Sequence, residues 1–578
     1  MSEQRESRRT GRASRATRVI VIGATAGLMV GPAAARAGAQ ATGAAAAGRV
    51  SDWSAIAVGS EEENYLRVLQ IAGRVPLRPW SLRPFGPGEL ARLAPADTGH
   101  PWANRLHGGA KAGRNGVQAL APAVGSTVNS LLPYSMNDGA VWNGRGATVV
   151  GRGGVYARYR WLSLRLEPVA FWTTNGGFDL VPNGFTDRKR FGDMIEPHAV
   201  DAPQRFGDGS YGRVDLGESS LRLDLPGIVV GASTATQVWG PAVLDPLIVG
   251  NNAAGIPHLF LGTSRPLNVG IGTVHVRLEA GRLDQSAYSY MEGDSTRRQM
   301  AGLVAVATIR GVPGLEIGGT RFYHRLWGDG ISWETFKIPF ESVYKNDVGE
   351  ASKDSIAENQ LASLYARWVL PSAGLEVYGE AARNDHSFNS RDLLLEPDHN
   401  FAYTLGARHV RRRGRDGLLG LRLETMNARA SHLDRIRGQA RLYQHAQLRQ
   451  GHTQRGQLLG SAAGLGGLAT TLGADLYRPD GRWTMELARR ARAARQGFGD
   501  LGEGAWYKEW DVEYIARAER VRFGHTGDLV LGVAAVANLN QNFVHDRYGL
   551  RVDFGWRPAL LLGGARTPVP AATAAPAP

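Results

Sequence analysis

The chain has 578 residues, 43% hydrophobic and 21% charged, which excludes global disorder, and its 75 glycines are about twice the usual share of roughly 7%. It contains no cysteine, so disulfides, thiolate metal sites, cysteine nucleophiles and a lipid-bearing cysteine anchor are excluded. The formal charge of +14 suits nucleic acid, anionic lipid or an acidic polysaccharide, but no basic cluster accompanies a nucleic-acid motif, and the densest run, Arg411-Arg412-Arg413-Gly414-Arg415, reads as a solvated turn between strands.

Residues 1–37 hold seven arginines and two glutamates, a net +5 that leaves +9 of the +14 for the rest of the chain. Arg5, Arg8, Arg9, Arg12, Arg15 and Arg18 precede a short apolar core, and Ala35-Arg36-Ala37 fits a small-x-small cleavage site. This is a secretory signal, with a core too short for a membrane-spanning helix. Residues 38–48 are an Ala/Gly linker. Residues 49–115 read as a small helical region. Leu66 and Leu69 share one helical face over 61–72, Ser60 and Glu63 form a capping box, and Gly73 stops the helix. Trp80 serves packing, and 88–94 reads as a second short helix with Leu90 and Leu93 inward. The region is too small for a confident core of its own and docks on something larger.

From 116 to 557 the pattern changes to period two. Val274, Val276, Leu278 and Ala280 alternate with Thr273, His275, Arg277 and Glu279. Leu419, Leu421 and Leu423 alternate with Gly420, Arg422 and Glu424. Tyr548, Leu550, Val552, Phe554 and Trp556 alternate with Gly549, Arg551, Asp553, Gly555 and Arg557. Strands of about ten residues, export and terminal aromatics together predict an all-β transmembrane fold, a large antiparallel outer-membrane barrel that is apolar outside and polar inside. Roughly 440 residues at about 20–25 per strand and connection give about 16–20 strands. Residues 173–210, 327–360 and 384–400 read as extracellular loops. Residues 558–578 form a low-complexity tail rich in Ala and Pro.

One stretch, 231–266, is a specified loop between strands. It carries Gln237, Trp239-Gly240-Pro241, Asn251-Asn252-Ala253-Ala254-Gly255-Ile256-Pro257-His258 and Thr263-Ser264-Arg265-Pro266. Asn, Gly and Pro shape its backbone, and it holds no nucleophile–base pair or metal spacing. Its candidate site residues are Trp239, Asn251, Asn252, His258 and Arg265, as determinants of the loop's shape or, under the resemblance described below, as polysaccharide contacts. Elsewhere 464–469 matches G-x-G-x-x-A, but without a β-α-β context it reads as strand and turn glycines. Glu376 and Glu380 read as members of a lumen charge network rather than a glycosidase pair. The scattered histidines, His198, His258, His324, His386, His445 and His452, show no metal spacing. No cofactor and no enzymatic activity are expected. Trp172, Phe178, Phe185, Trp327 and Trp333 suit either sugar platforms or an interfacial girdle.

The 231–266 stretch resembles the Wzi capsule-assembly family of outer-membrane proteins. The resemblance extends to 63–70, Arg78-Pro79-Trp80, 202–207, 217–222, Gly281-Arg282-Leu283 and Ser286-Ala287-Tyr288, with 442–445 and 451–456 similar to the family's closing strands. Two positions depart from the pattern: Val238 precedes Trp239 where two tryptophans are expected, and Gly250 precedes the Asn pair where Ser is common. The resemblance implies an 18-stranded barrel, a periplasmic-end helical bundle, and a lectin-like, non-enzymatic role holding capsular or extracellular polysaccharide at the cell surface. The implied partners are that polysaccharide, outer-membrane lipid and the barrel-assembly machinery. The basic balance would favour an acidic glycan. The competing reading is a porin for small solutes.

Overall fold

The computed structural model describes residues 56–87, 89, 115–328, 330–341, 358–385, 389–429, 439, 441–493, 510–524, 527–543 and 545–558. The signal segment 1–37, the linker 38–48, most of the second short helix 88–94, His386, and the tail beyond 558 lie outside them.

Eighteen antiparallel strands close into one barrel. They are β1 (Gly116–Asn129), β2 (Gly146–Tyr159), β3 (Leu162–Leu166 and Val169–Thr173), β4 (Tyr211–Asp215 and Ser220–Asp224), β5 (Ile228–Ser233) and β6 (His258–Thr263, continued by Leu267–Asn268). Then come β7 (Gly272–Asp284), β8 (Arg297–Ile309), β9 (Val312–Leu326), β10 (Glu358–Leu370), β11 (Leu375–Asn384) and β12 (Phe401–Arg413). The wall is completed by β13 (Gly417–Asn427), β14 (Gly467–Arg478), β15 (Gly481–Ala493), β16 (Trp510–Phe523), β17 (Gly527–Gln541) and β18 (His545–Pro558). The break in β3 falls at Pro168, which has no N–H for the ladder. β18 pairs with β1 from Val124↔Trp556 to Asn129↔Arg551, so no edge strand remains in the wall.

The period-two pattern sorts its residues as lipid requires. Leu421, Leu423, Leu550, Val552, Phe554 and Trp556 are exposed on the outside, while Glu279, Arg277, His275 and Glu424 are buried on the lumen side. Many lumen charges are paired: Glu376 accepts from Arg67 Nε at 3.1 Å and also from Arg367, which in turn reaches Glu316. Connections at one end are two to four residues long; at the other, all but 542–544 have twelve or more. Short turns mark the periplasmic end of such barrels and long loops the outer end. The run 411–415 lies at a short turn, with Gly414 at φ 68°.

The segment before β1 enters this barrel. Among the described residues of 49–115 there is one substantial helix, α1 (Glu61–Ile71). Ser60 Oγ accepts from Glu63 N at 3.2 Å, and the Glu63 carboxylate accepts from Gly59 N at 2.6 Å rather than from Ser60. One apolar face was expected; instead Tyr65, Leu66, Val68, Leu69 and Ile71 are all 0% exposed, and Arg67 is buried with them. The reason is enclosure. Part of the helix surface packs on Val369, Val410, Leu418 and Tyr477 at the short-turn ends of β10, β12, β13 and β14, while Arg67 meets the charged wall. Each buried apolar side chain contributes about 1.5–3 kcal/mol. Trp80 is also fully buried, edge-on to Phe85 at 4.7 Å, with its backbone N–H on Glu316.

A second filling comes from the other end. The loop 234–257 and the segment 441–466 fold into the lumen and share an apolar core of Trp239, Leu247, Ile248, Val249, Ile256, Leu442, Tyr443, Leu458 and Leu459. The positions 442–445 and 451–456, read as closing strands, therefore are not wall strands. The segment 441–466 holds only a hairpin of two-residue strands, Thr453–Gln454 with Gln457–Leu458, because it lacks a continuous period-two apolar face.

Candidate functional site

The plug is built from side chains that satisfy loop backbone. Val238–Trp239 pairs with Leu82–Arg83, so the two fillings meet as a small antiparallel ribbon. Gly240 follows at φ 91°, where a side chain would meet the Glu380 carboxylate 2.9 Å away; both facts demand glycine. Trp239 is fully buried against Phe322, with ring centroids 5.9 Å apart, and its Nε1 donates to Gln237 Oε1 at 3.1 Å. Gln237 Nε2 donates to Glu279 at 2.8 Å and to His258 Nε2 at 3.3 Å. His258 Nδ1 donates to the Ile256 carbonyl at 2.6 Å, the tautomer that leaves Nε2 free to accept.

The asparagine pair laces three loops together. Asn251 Nδ2 donates to Asn137 O at 3.2 Å, and its own carbonyl accepts from Gly139 N. Asn252 Nδ2 donates to Leu458 O at 3.1 Å, and its Oδ1 accepts from Asn137 N. Trp239, Asn251 and Asn252 thus belong to one plug, and His258, the first residue of β6, meets it through Gln237. Arg265 does not: it is exposed on the far side of β6, toward the short-turn end.

Sequence reasoning missed the wall residues that hold this plug. Glu424 accepts from the N–H groups of Val243, Leu244 and Asp245 at 2.7–2.8 Å, satisfying three donors with one carboxylate. Its alternation marked it as lumen-facing, but nothing local shows what it meets. Tyr443, at φ 76°, donates through Oη to Leu247 O at 2.6 Å and accepts from Ser461 N. Asp245 accepts from Ser461 Oγ at 2.6 Å, and burial, helped by the nearby Glu424 carboxylate, pushes it up to about 6. His452 Nε2 donates to Ile248 O at 2.6 Å, and burial pulls it down to about 4. These buried groups bond to the backbone and side chains of the plug, an arrangement suited to holding shape.

At the long-loop end a different cluster forms from 174–210, 285–296 and 441–466. Phe185, His198 and Tyr290 pack together, His198 to Tyr290 at 4.5 Å and Phe185 to His198 at 5.1 Å. Lys189 Nζ lies 5.3 Å and the Arg449 guanidinium 5.0 Å from the Tyr290 ring centre. Lys189 is also paired with Glu292 at 3.0 Å. Aromatic faces flanked by cations can stack on sugar rings and attract carboxylate groups. Of the loop aromatics singled out from sequence, Phe185 joins this cluster, whereas Trp172 is exposed on β3 and Trp333 lies beside Phe336. Among the described residues no group of three or more acidic or histidine side chains could hold a metal ion.

A closed, charge-lined, internally plugged barrel with an apolar exterior defines an outer-membrane-type β-barrel whose lumen is filled by its own chain. Residues 134–503 match the model of the capsule assembly protein Wzi family, and the chain belongs to that family. Among solved structures it is similar to the Wzi protein of Escherichia coli, described as an outer-membrane, carbohydrate-binding β-barrel involved in group 1 capsule assembly. The TM-score is 0.59 at 14% identity, covering 87% of this chain and 99% of that one. Likeness to OccK5 of Pseudomonas aeruginosa is lower, with a TM-score of 0.37, 10% identity, and 76% and 97% of the two chains covered; it informs nothing further. No curated protein matches the sequence.

Proposed function

We propose that this protein is exported through a cleaved signal at 1–37, inserted into the bacterial outer membrane by the barrel-assembly machinery, and there holds capsular or extracellular polysaccharide at the cell surface without catalysis. One observation carries the reading: three long loops converge on the Phe185, His198 and Tyr290 platform, flanked by Lys189 and Arg449, above a lumen filled by the plug. A filled lumen favours surface retention over solute passage. Family membership and the E. coli relative's description support the same role. The cations favour an acidic glycan, whose attraction salt would weaken.

The test is cell-bound against released polysaccharide in cells lacking the protein, complemented with wild type or with the double variant Phe185→Ala/Tyr290→Ala. Wild type should restore retention, and the folded double variant should leave glycan in the medium at unchanged total synthesis. Equal retention in all strains, or a large single-channel conductance of the wild-type protein, would overturn the reading.

A further inference from the structure

A chamber of about 300 Å³ lies between α1, the plug and the wall from β12 to β18. Among the described residues its lining holds eight arginines and five carboxylates. Three wall carboxylates beside the chamber, Glu376, Asp475 and Asp553, balance that count, but each is bound to arginines other than Arg408, Asp553 to Arg551. Glu376 binds Arg67 and Arg367, and Asp475 binds Arg422, Arg482 and Thr484.

Arg408 is the group left over. It stands on β12 directly opposite Glu376 on one side and Arg422 on the other. Its side chain is buried, with the residue only 3% exposed, and among the described residues it forms no hydrogen bond or ion pair; its Nη1 has no partner at all. Arg67, 1% exposed, also lines the chamber and likewise leaves Nη1 unpartnered after Nε meets Glu376 and Nη2 meets Pro241 O. Like charges directly opposite on a sheet repel, and a buried guanidinium with no acceptor is costly. The fold nevertheless makes room for these side chains: a Cβ at Gly473, across from Arg422, would come within 2.6 Å of the Arg422 Nε.

We infer that this chamber binds one oxyanion group, a phosphate, sulfate or carboxylate, held by the free N–H groups of Arg408 and Arg67. The planar fork of a guanidinium matches two oxygens of such a group, and a low-dielectric lumen strengthens the pairing. The bound anion offsets the Arg408–Arg422 repulsion and ties the wall to α1. The site lies below the plug, separate from the surface platform, and does not depend on the polysaccharide reading.

The test is calorimetric titration of the folded full-length protein in neutral detergent at low chloride, with inorganic phosphate and with glucuronate as probes. Saturable binding of at least one probe near one per chain is expected. Arg408→Gln should weaken it at least tenfold, Arg408→Lys less, and the exposed-turn variant Arg411→Gln not at all, with heat-modifiable gel mobility confirming that each barrel is folded. Tighter phosphate binding points to a free or lipid phosphate, and tighter glucuronate binding to an acidic sugar. No saturable binding of either probe by the wild type, meaning water fills the chamber, or equal binding by Arg408→Gln, would overturn the inference.

Discussion

β13 and the loop 234–257 meet at Glu424, and they are held in opposite ways. β13 is stabilised by ladder hydrogen bonds to β12 and β14, and its outward residues Leu421 and Leu423 need only be apolar. The loop has almost no ladder. Its backbone donors end on particular side chains, three of them on Glu424, and its side chains end on particular carbonyls such as Leu458 O. A wall built on repetition tolerates substitution that keeps the period; a plug built on one-to-one bonds does not.

Four changes separate the two. Trp239→Ala should be the most damaging, at about 3–5 kcal/mol for an emptied buried indole site. Because it strikes the plug, β-sheet circular dichroism should persist while planar-bilayer conductance appears. Leu421→Arg, mid-strand on the lipid face, should cost about 2–4 kcal/mol in urea unfolding from lipid and leave conductance silent. The third change is pH. His452 is held near 4 against an ordinary 6.5, so its contribution is whole above about 6.5 and is lost as pH falls toward 4. Asp245, raised to about 6, works in reverse: its contribution is whole below its unfolded value of 3.8 and is lost as pH rises through about 6. The two offset each other in the wild type. Asp245→Asn removes the offset, so its unfolding free energy from urea titrations should fall more steeply between pH 6.5 and 4, by about 2–3 kcal/mol across the window. Smallest is Asn252→Ala, about 1–2 kcal/mol for one donor and one acceptor, read as a lowered urea midpoint without conductance.

The same contrast decides what could be read from sequence. Strand alternation is a local signal, so the barrel and its inside–outside assignment were legible in segments such as 273–280 and 548–557. The helix cap at Ser60 was equally local. The surroundings of that helix were not: its all-round burial depends on Val369, Val410 and Tyr477, hundreds of residues away. The 231–266 stretch stood out by composition, yet sequence could not show that Trp239 and the Asn pair turn inward while Arg265 stays apart. Tyr290 carried no signal, because its platform exists only where three loops converge. The inward path of 441–466 was missed because a loop that fills a lumen and a short strand both show brief apolar runs.

The helix within the barrel also bears on how the molecule can be made. Glu61 pairs with Arg482 of β15, Glu62 with Arg557 of β18, and Arg67 with Glu376 of β11. The early segment therefore finds its last partners only when the final strand is in place, and the wall has to close with that segment already inside. Contacts so distant along the chain make for slow assembly. A barrel that closed first would trap its own N-terminal segment outside, so strand closure and capture of α1 have to be timed together.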